Sequence, residues 1–257
     1  MTEFSTKCIR DFKQFIGELT ATSAGIHVAL QFATSNLPEN EIDPWEKIAE
    51  QFNVHLSGID SERIFKSAAR LNIVNVYSGF DLYLFSYRKE FTRLMKSEWK
   101  CKEGDSPFDE FKNNISIVKI KNKHIVLSEQ IQLVQYYRLV RNAIVHPAEK
   151  TKQSCRKYYQ DNNHNLNRIQ THYKMLSAPN SLDEINFHDV KLFARVLLDI
   201  LPSFDEALDP GDELLKELLP VQSQTNLKAS RSSNAAIGFL TNEFGISLDR
   251  AKRIMAH

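Results

Sequence analysis

The chain has 257 residues, enough to bury a real core and near the upper size for one compact domain, so a main domain with an appendage is expected. Hydrophobic residues make up 42% and aromatics 10%, with only eight glycines and eight prolines; this excludes a disordered or β-turn-rich chain and favours a helical one. Lys and Arg total 33 against 32 Asp and Glu, so the overall charge advertises no polyanion partner and any such surface must be local.

The three cysteines, Cys8, Cys101 and Cys155, are odd in number and far apart, with no CxxC pair. That spacing suggests neither a disulfide framework nor a zinc site and fits a reducing cytosol. The opening MTEFSTKCIRDFKQF lacks a basic leader followed by an apolar core, and no stretch approaches eighteen apolar residues. No secretion signal, membrane span or bound cofactor is expected.

Apolar positions recur every three or four residues from Ile9 to Leu37, with Thr20 to Gly25 as an interruption, which predicts one broken helix or two short ones. NLPENEIDP, Asn36 to Pro44, reads as loop. The strongest periodicity is Phe65, Ala69, Ile73, Val76, Phe80, Tyr83, Tyr87, Phe91 and Leu94, a long amphipathic helix with Asp60 or Ser61 as N-cap. ISIVKIKNKHIVL, Ile115 to Leu127, has β-branched runs around a polar KNKH and predicts a small hairpin.

After Ser128, the stripe Leu133, Tyr137, Val140 and Ile144 predicts a further helix. A stripe of Val190, Phe193, Leu197, Ile200 and Phe204 predicts another, which Pro202 should kink or end. Between them, Lys150 to Lys174 is the one clear basic stretch, with tyrosines interleaved. An acidic patch follows Pro202 (Asp205, Glu206, Asp209, Asp212, Glu213), then a polar linker from Gln222 to Asn234. Two short helices, about Ala235 to Phe244 and Leu248 to Met255, join at Gly245. They read as a docking element, since Arg250, Lys252 and Arg253 supply only part of a DNA-reading face.

One helix ends in Arg141-Asn142-Ala143-Ile144-Val145-His146-Pro147. At about 100° per residue, Gln135, Arg138, Arg141 and Asn142 share a sector away from the apolar stripe, so this polar cluster is expected to face away from its own helix's core contacts. Pro147 disfavours the α region for the residue before it, so His146 should sit at or just past the helix end, where its ring can swing toward the arginine side. A guanidinium, an amide and an imidazole then surround one helix terminus. The bland alternative stays open: such residues can simply bond the last carbonyls or pair with a carboxylate on another helix.

The chemistry open to such a trio is RNA cleavage, because RNA carries its own nucleophile in the 2′-hydroxyl. His146 can take that proton or protonate the leaving 5′ oxygen, Arg141 can hold the phosphate through its planar fork, and Asn142 can orient either. One histidine does not readily act as base and acid in a single step, which points to a second copy from a symmetric dimer.

Arg141-Asn142-x-x-x-His146, late in a helix and followed by Pro147, resembles the R-N-x-x-x-H form of the Rx4-6H motif of the HEPN superfamily ("higher eukaryotes and prokaryotes nucleotide-binding"). The resemblance covers about residues 60 to 205, with VYSGFDLYLF (Val76 to Phe85) on the preceding helix and INFHDVKLF (Ile185 to Phe193) beginning the following one. It implies an all-α, up-and-down bundle that dimerises, with both motifs at the interface forming one metal-independent ribonuclease site. It also implies fragments ending in a 2′,3′-cyclic phosphate and a 5′-hydroxyl, and a role as a toxin or abortive-infection effector against phage, with a regulatory or antitoxin protein as a partner. Carried over, Arg141 and His146 are catalytic, Asn142 supporting, and Asp81 stands for an acidic residue on the earlier helix; Asp81 can equally be solvated or paired with Arg88. Where the nucleotidyltransferase-regulated subfamily has a tyrosine two residues after the histidine, this chain has Ala148, so that modification is not expected. The alternative function is a catalytically silent scaffold that binds RNA or a partner protein.

Arg138, Lys150, Lys152, Arg156, Lys157 and Tyr158 are the expected RNA-gripping set, with cations on the backbone and tyrosine on unpaired bases. The alternative is a solvated loop whose charges offset the acidic patch. His164 and His172, without partners at ligand spacing, read as polar loop residues. The expected organisation is an N-terminal helical extension (1–59), the bundle (60–210), and a linker with a short helical tail (211–257).

Overall fold

A computed structural model describes residues 4–37, 43–115, 128–220 and 229–256. Every regular element among them is helical: α1 (Lys7–Ser35), α2 (Pro44–Gln51), α3 (Ser61–Met95), α4 (Pro107–Ile115), α5 (Ser128–Val145), α6 (Glu149–Asp161), α7 (Asn163–Tyr173), a 3-10 turn (Leu182–Glu184), α8 (Phe187–Glu206), α9 (Asp212–Glu217), α10 (Ala229–Phe244) and α11 (Leu248–Ala256). The expected hairpin lies outside the described residues apart from Ile115, the last residue of α4. The helices form two compact units that interleave along the sequence: residues 1–14, 79–126 and 198–257 in one, 15–78 and 127–197 in the other.

Several expectations are corrected. α1 runs unbroken through Thr20 to Gly25, because the Thr20 and Ser23 hydroxyls donate back to the Ile16 and Leu19 carbonyls (2.7 and 2.8 Å) and leave the helical ladder intact. α8 does not end at Pro202 but continues to Glu206, with Phe204 and Asp205 both buried there; a kink at Pro202, the other expected outcome, is not contradicted. The basic stretch is two helices rather than loop, because Cys155 on α6 and Leu166, Ile169 and Tyr173 on α7 recur at helical spacing and are buried. α10 begins at Ala229, inside the expected linker.

In the first unit an aromatic cluster forms the core. Tyr87 meets Phe111 edge-on (5.0 Å between centroids), Phe91 meets Trp99 (5.1 Å) and Phe111 meets Phe204 (5.2 Å), while the Tyr87 hydroxyl donates to the Phe204 carbonyl (3.1 Å). The C-terminal helices belong to this core and are not an appended piece. Ser5 N donates to the Phe244 carbonyl (2.9 Å), and Gly245 turns with φ +57° where a Cβ would run into the Ser5 hydroxyl and the Arg10 guanidinium. Arg250, nearly buried, is clamped by Asp209 (2.7 Å) and Asp212 (2.8 Å), so of Arg250, Lys252 and Arg253 the first is tied up in its own unit.

Asp205 is the buried carboxylate of this unit, accepting from Thr6 N (2.7 Å) and the Thr6 hydroxyl (2.5 Å). Burial raises its pKa from 3.8 to about 6 against the pull of those hydrogen bonds.

The second unit is organised on α5, against which α6 and α7 pack. Leu133, Val134, Tyr136, Tyr137, Val140 and Ala143 are all buried, a wider face than the single stripe expected. Asn186 caps α8: its side chain accepts from His188 N (2.8 Å) while Asp189, at the third helical position, accepts from Asn186 N (2.9 Å), a reciprocal capping box. Asp189 is fully buried and also accepts from the Tyr137 hydroxyl (2.9 Å), Asn180 N (2.9 Å) and Asn180 Nδ2 (2.8 Å). One carboxylate therefore ties α5, the 174–186 connection and the start of α8 together.

Two outcomes are expected in solution. Asp189→Ala removes four hydrogen bonds, one of them from the buried Tyr137 hydroxyl, and should lower the unfolding free energy by about 3 kcal/mol in denaturant titration; a loss under about 1 kcal/mol would show the network to be dispensable. Asp205, with its folded pKa raised, adds stability that is complete below pH 3.8 and lost as pH rises through about 6. The unfolding free energy of the native protein relative to Asp205→Asn should fall by about 2 kcal/mol between pH 4 and 7, and a flat difference would refute the shift.

Candidate functional site

The Arg-Asn-x-x-x-His run closes α5 as its chemistry dictates. His146 N makes the last helical bond, to the Asn142 carbonyl (2.8 Å). Pro147 then breaks the ladder, Ala148 N turns back to the His146 carbonyl (2.7 Å), and α6 starts at Glu149. The tight α5–α6 corner leaves His146 exposed on its outside, just past the helix end as expected.

Arg141 differs from expectation. Its sector does not simply look outward: the side chain is half-buried, with its guanidinium 5.7 Å from the centre of the buried Tyr77 ring of α3. Arg141 Nη1 donates to Asn142 Oδ1 (3.1 Å), so the amide orients the guanidinium. Arg141 Nε is buried and finds no hydrogen-bond acceptor among the described residues. A guanidinium placed over a ring with a donor left over can receive an anion. His146 is exposed and no described side chain bonds its imidazole, while Arg141 is held in place by Asn142 beside Tyr77.

The expected RNA-gripping residues divide. Arg138 Nε donates to Gln135 (3.2 Å), and its charge offsets the burial that raises the Tyr158 hydroxyl's pKa. Tyr158 in turn donates to the Gln132 carbonyl (3.2 Å), so it is a strut between α6 and α5 as much as a stacking surface. Arg156 forms a two-pronged pair with Asp183 (3.0 and 3.2 Å), which holds α6 to the 3-10 turn. Lys150 and Lys157 stand exposed on α6 and Lys152 is half-buried beside them. His164 and His172 lie on α7, and among the described residues no group of three or more His, Cys, Asp or Glu could hold a metal ion.

Asp81 falls in the first unit, half-buried on α3 one turn past Tyr77, and in that unit Arg88 pairs with Glu110 (3.2 Å). Sequence reasoning missed Tyr77 as the platform for Arg141, although Ile73, Tyr77, Phe80 and Leu84 form a second three-four stripe on α3. It missed Arg70 too, whose Nε is also buried without a partner while Nη2 donates to the Leu182 carbonyl (3.3 Å). No helix among the described residues is long and apolar enough to cross a membrane. No family model, curated protein or solved structure matches the chain.

The two readings of Arg141 differ in stability. A guanidinium that strands a buried donor is a net burden on folding. Arg141→Met, of similar length, should therefore leave the unfolding free energy unchanged or raise it by up to about 1 kcal/mol in urea titration. A loss above about 2 kcal/mol would identify Arg141 as a structural strut instead.

Proposed function

We propose that this protein is a HEPN-type endoribonuclease, a helical bundle that cuts RNA by 2′-hydroxyl attack without a metal ion, at a site built where two copies meet. The observation that carries the reading is Arg141: seated on Tyr77, oriented by Asn142, with a buried N–H lacking an acceptor, and placed one and a half helical turns before an exposed histidine. Arg141 receives the scissile phosphate and stabilises the charge that develops on its nonbridging oxygens. His146 removes the 2′-hydroxyl proton, or returns one to the leaving 5′ oxygen, and His146 of the second copy supplies the opposite role. The exposure of His146, with no described side chain bonding its ring, accords with a site that needs its mate. The fragments carry a 2′,3′-cyclic phosphate and a 5′-hydroxyl.

Lys150, Lys152 and Lys157 lead the RNA backbone toward the corner, while Arg156 keeps its structural pair with Asp183. The cytoplasm is the setting and anti-phage defence or toxicity the role, with a regulatory partner restraining the cut. Ala148 leaves no tyrosine acceptor for restraint by nucleotide transfer.

The test is incubation of the purified protein with total RNA in excess EDTA, with the fragment termini examined. Cleavage leaving cyclic phosphates should fall by at least about a hundredfold in His146→Ala and in Arg141→Ala, with helix content and melting unchanged. If wild type is inert while both variants lose only binding to RNA or to a protein partner, the catalytically silent scaffold is the better reading.

A further inference from the structure

Among the described residues only two side chains bury a nitrogen without a hydrogen-bond partner, and both are arginines of the second unit: Arg141 and Arg70, each at Nε. A stranded donor works against folding, so each calls for a reason. The proposed cleavage site supplies one for Arg141 and none for Arg70. The two are nevertheless related through α3. Arg70 and Tyr77, the ring beside the Arg141 guanidinium, are seven residues apart, which places them within about 20° of each other around the helix and roughly 10 Å apart along it.

Four cations meet the 3-10 turn, and the carboxylates there are already taken. Asp183 receives both prongs of Arg156 (3.0 and 3.2 Å), while Glu184 and Glu62 hold Lys66 (3.0 and 2.7 Å). Arg70 is left with one neutral acceptor, the Leu182 carbonyl at 3.3 Å from Nη2. Lys152, half-buried on α6, pairs with no carboxylate among the described residues. Both stand close enough to Asp183 to help Arg156 keep its carboxyl below the usual range. Two half-buried cations thus share one neighbourhood with no carboxylate to spare for either. The Nε and Nη edge of a guanidinium is the fork that takes two oxygens of a phosphate, and on Arg70 that edge is the one with a donor unmet.

We propose that Arg70 and Lys152 hold a second phosphate of the RNA strand whose scissile phosphate lies at Arg141. The inference rests on the ribonuclease reading for the first phosphate and adds the strand's path along α3. Phosphates of a stacked strand repeat about every 3.4 Å, so the roughly 10 Å between Arg70 and Tyr77 corresponds to about three nucleotides. A small turn of the Arg70 side chain exchanges a stranded donor for a charge-assisted bond, and the strand gains a fixed direction at the site. Strands too short to carry a phosphate at both arginines forgo that contact.

The test is binding of the full chain to a fluorescent single-stranded RNA of about ten nucleotides, 2′-O-methylated throughout so that it cannot be cut, across a salt series. Arg70→Gln should weaken binding about tenfold and make the slope of log K against log salt shallower by about 0.7, the signature of one lost phosphate contact. Arg70→Lys, which keeps the charge and loses the fork, should restore the slope with only part of the affinity. Lys152→Gln, on another helix, should reproduce the shallower slope and reports even if Arg70→Gln fails to fold. Lys66→Gln removes a cation held by its own carboxylates and should leave the slope unchanged. A dinucleotide competitor, with a single internal phosphate, should bind wild type and Arg70→Gln alike. A wild type that does not bind the strand, an unchanged slope in both Arg70→Gln and Lys152→Gln, or an equal loss in Lys66→Gln overturns the proposal. Binding that behaves as expected in a protein inert toward cleavable RNA leaves this phosphate site standing and removes the nuclease reading; cleavage with unchanged slopes does the reverse.

Discussion

The second unit hangs on one buried carboxylate. Asp189 accepts four hydrogen bonds, from Tyr137 on α5, from the backbone and amide of Asn180, and from the backbone of its own N-cap Asn186. Burial still raises its pKa, because hydrogen bonds from neutral donors do not replace the hydration of a full charge. Such a group tolerates one arrangement of its neighbours. Any slide of α5 along its axis would carry the Tyr137 hydroxyl off the carboxylate, and the motif at the end of α5 would move with it.

That rigidity gives Arg141 and His146 their unlike environments. Tyr137 packs tilted against Phe193 (4.8 Å) and Tyr77 stacks on Phe193 (6.3 Å), so the ring beside the Arg141 guanidinium is itself fixed by the core beside Asp189. The arginine inherits a defined place from the packed interior. The histidine, released by Pro147 one residue past the helix, inherits none. In the ribonuclease reading proposed above, the arginine would hold the anion from a place set by the core while the histidine moves the proton, and a second copy would supply the constraint that one chain leaves out.

Much of this was legible in the residues. The periodicity of Phe65 to Leu94 marked α3, Asp60 does accept from Arg63 N (2.7 Å) as its cap, and Gly245 does separate the two C-terminal helices. The position of His146 past the end of α5 followed from Pro147 alone. Thr20 to Gly25 is locally unfavourable to a helix, yet it stays helical with the Thr20 and Ser23 hydroxyls bonded back to the Ile16 and Leu19 carbonyls, and α8 runs on past Pro202 to the buried Phe204 and Asp205. The polar composition of Lys150 to Lys174 hid two helices whose tyrosines and Cys155 are turned inward.

The sequence by itself determined that the strongly periodic stripes of α3, α5 and α8 are helical, where α5 must stop, and that an arginine, an asparagine and a histidine lie within its last turns and just past its end, because these follow from 100° per residue and the stereochemistry of proline. Only the tertiary structure decided that Arg141 lies on Tyr77 with a donor to spare, that Arg156 belongs to Asp183 rather than to a ligand, and that Asp189 joins α5 to α8. Those facts depend on which helix faces meet across 64, 27 and 52 positions of chain. Local periodicity fixes the face each helix offers; the burial shared between distant faces selects the partner.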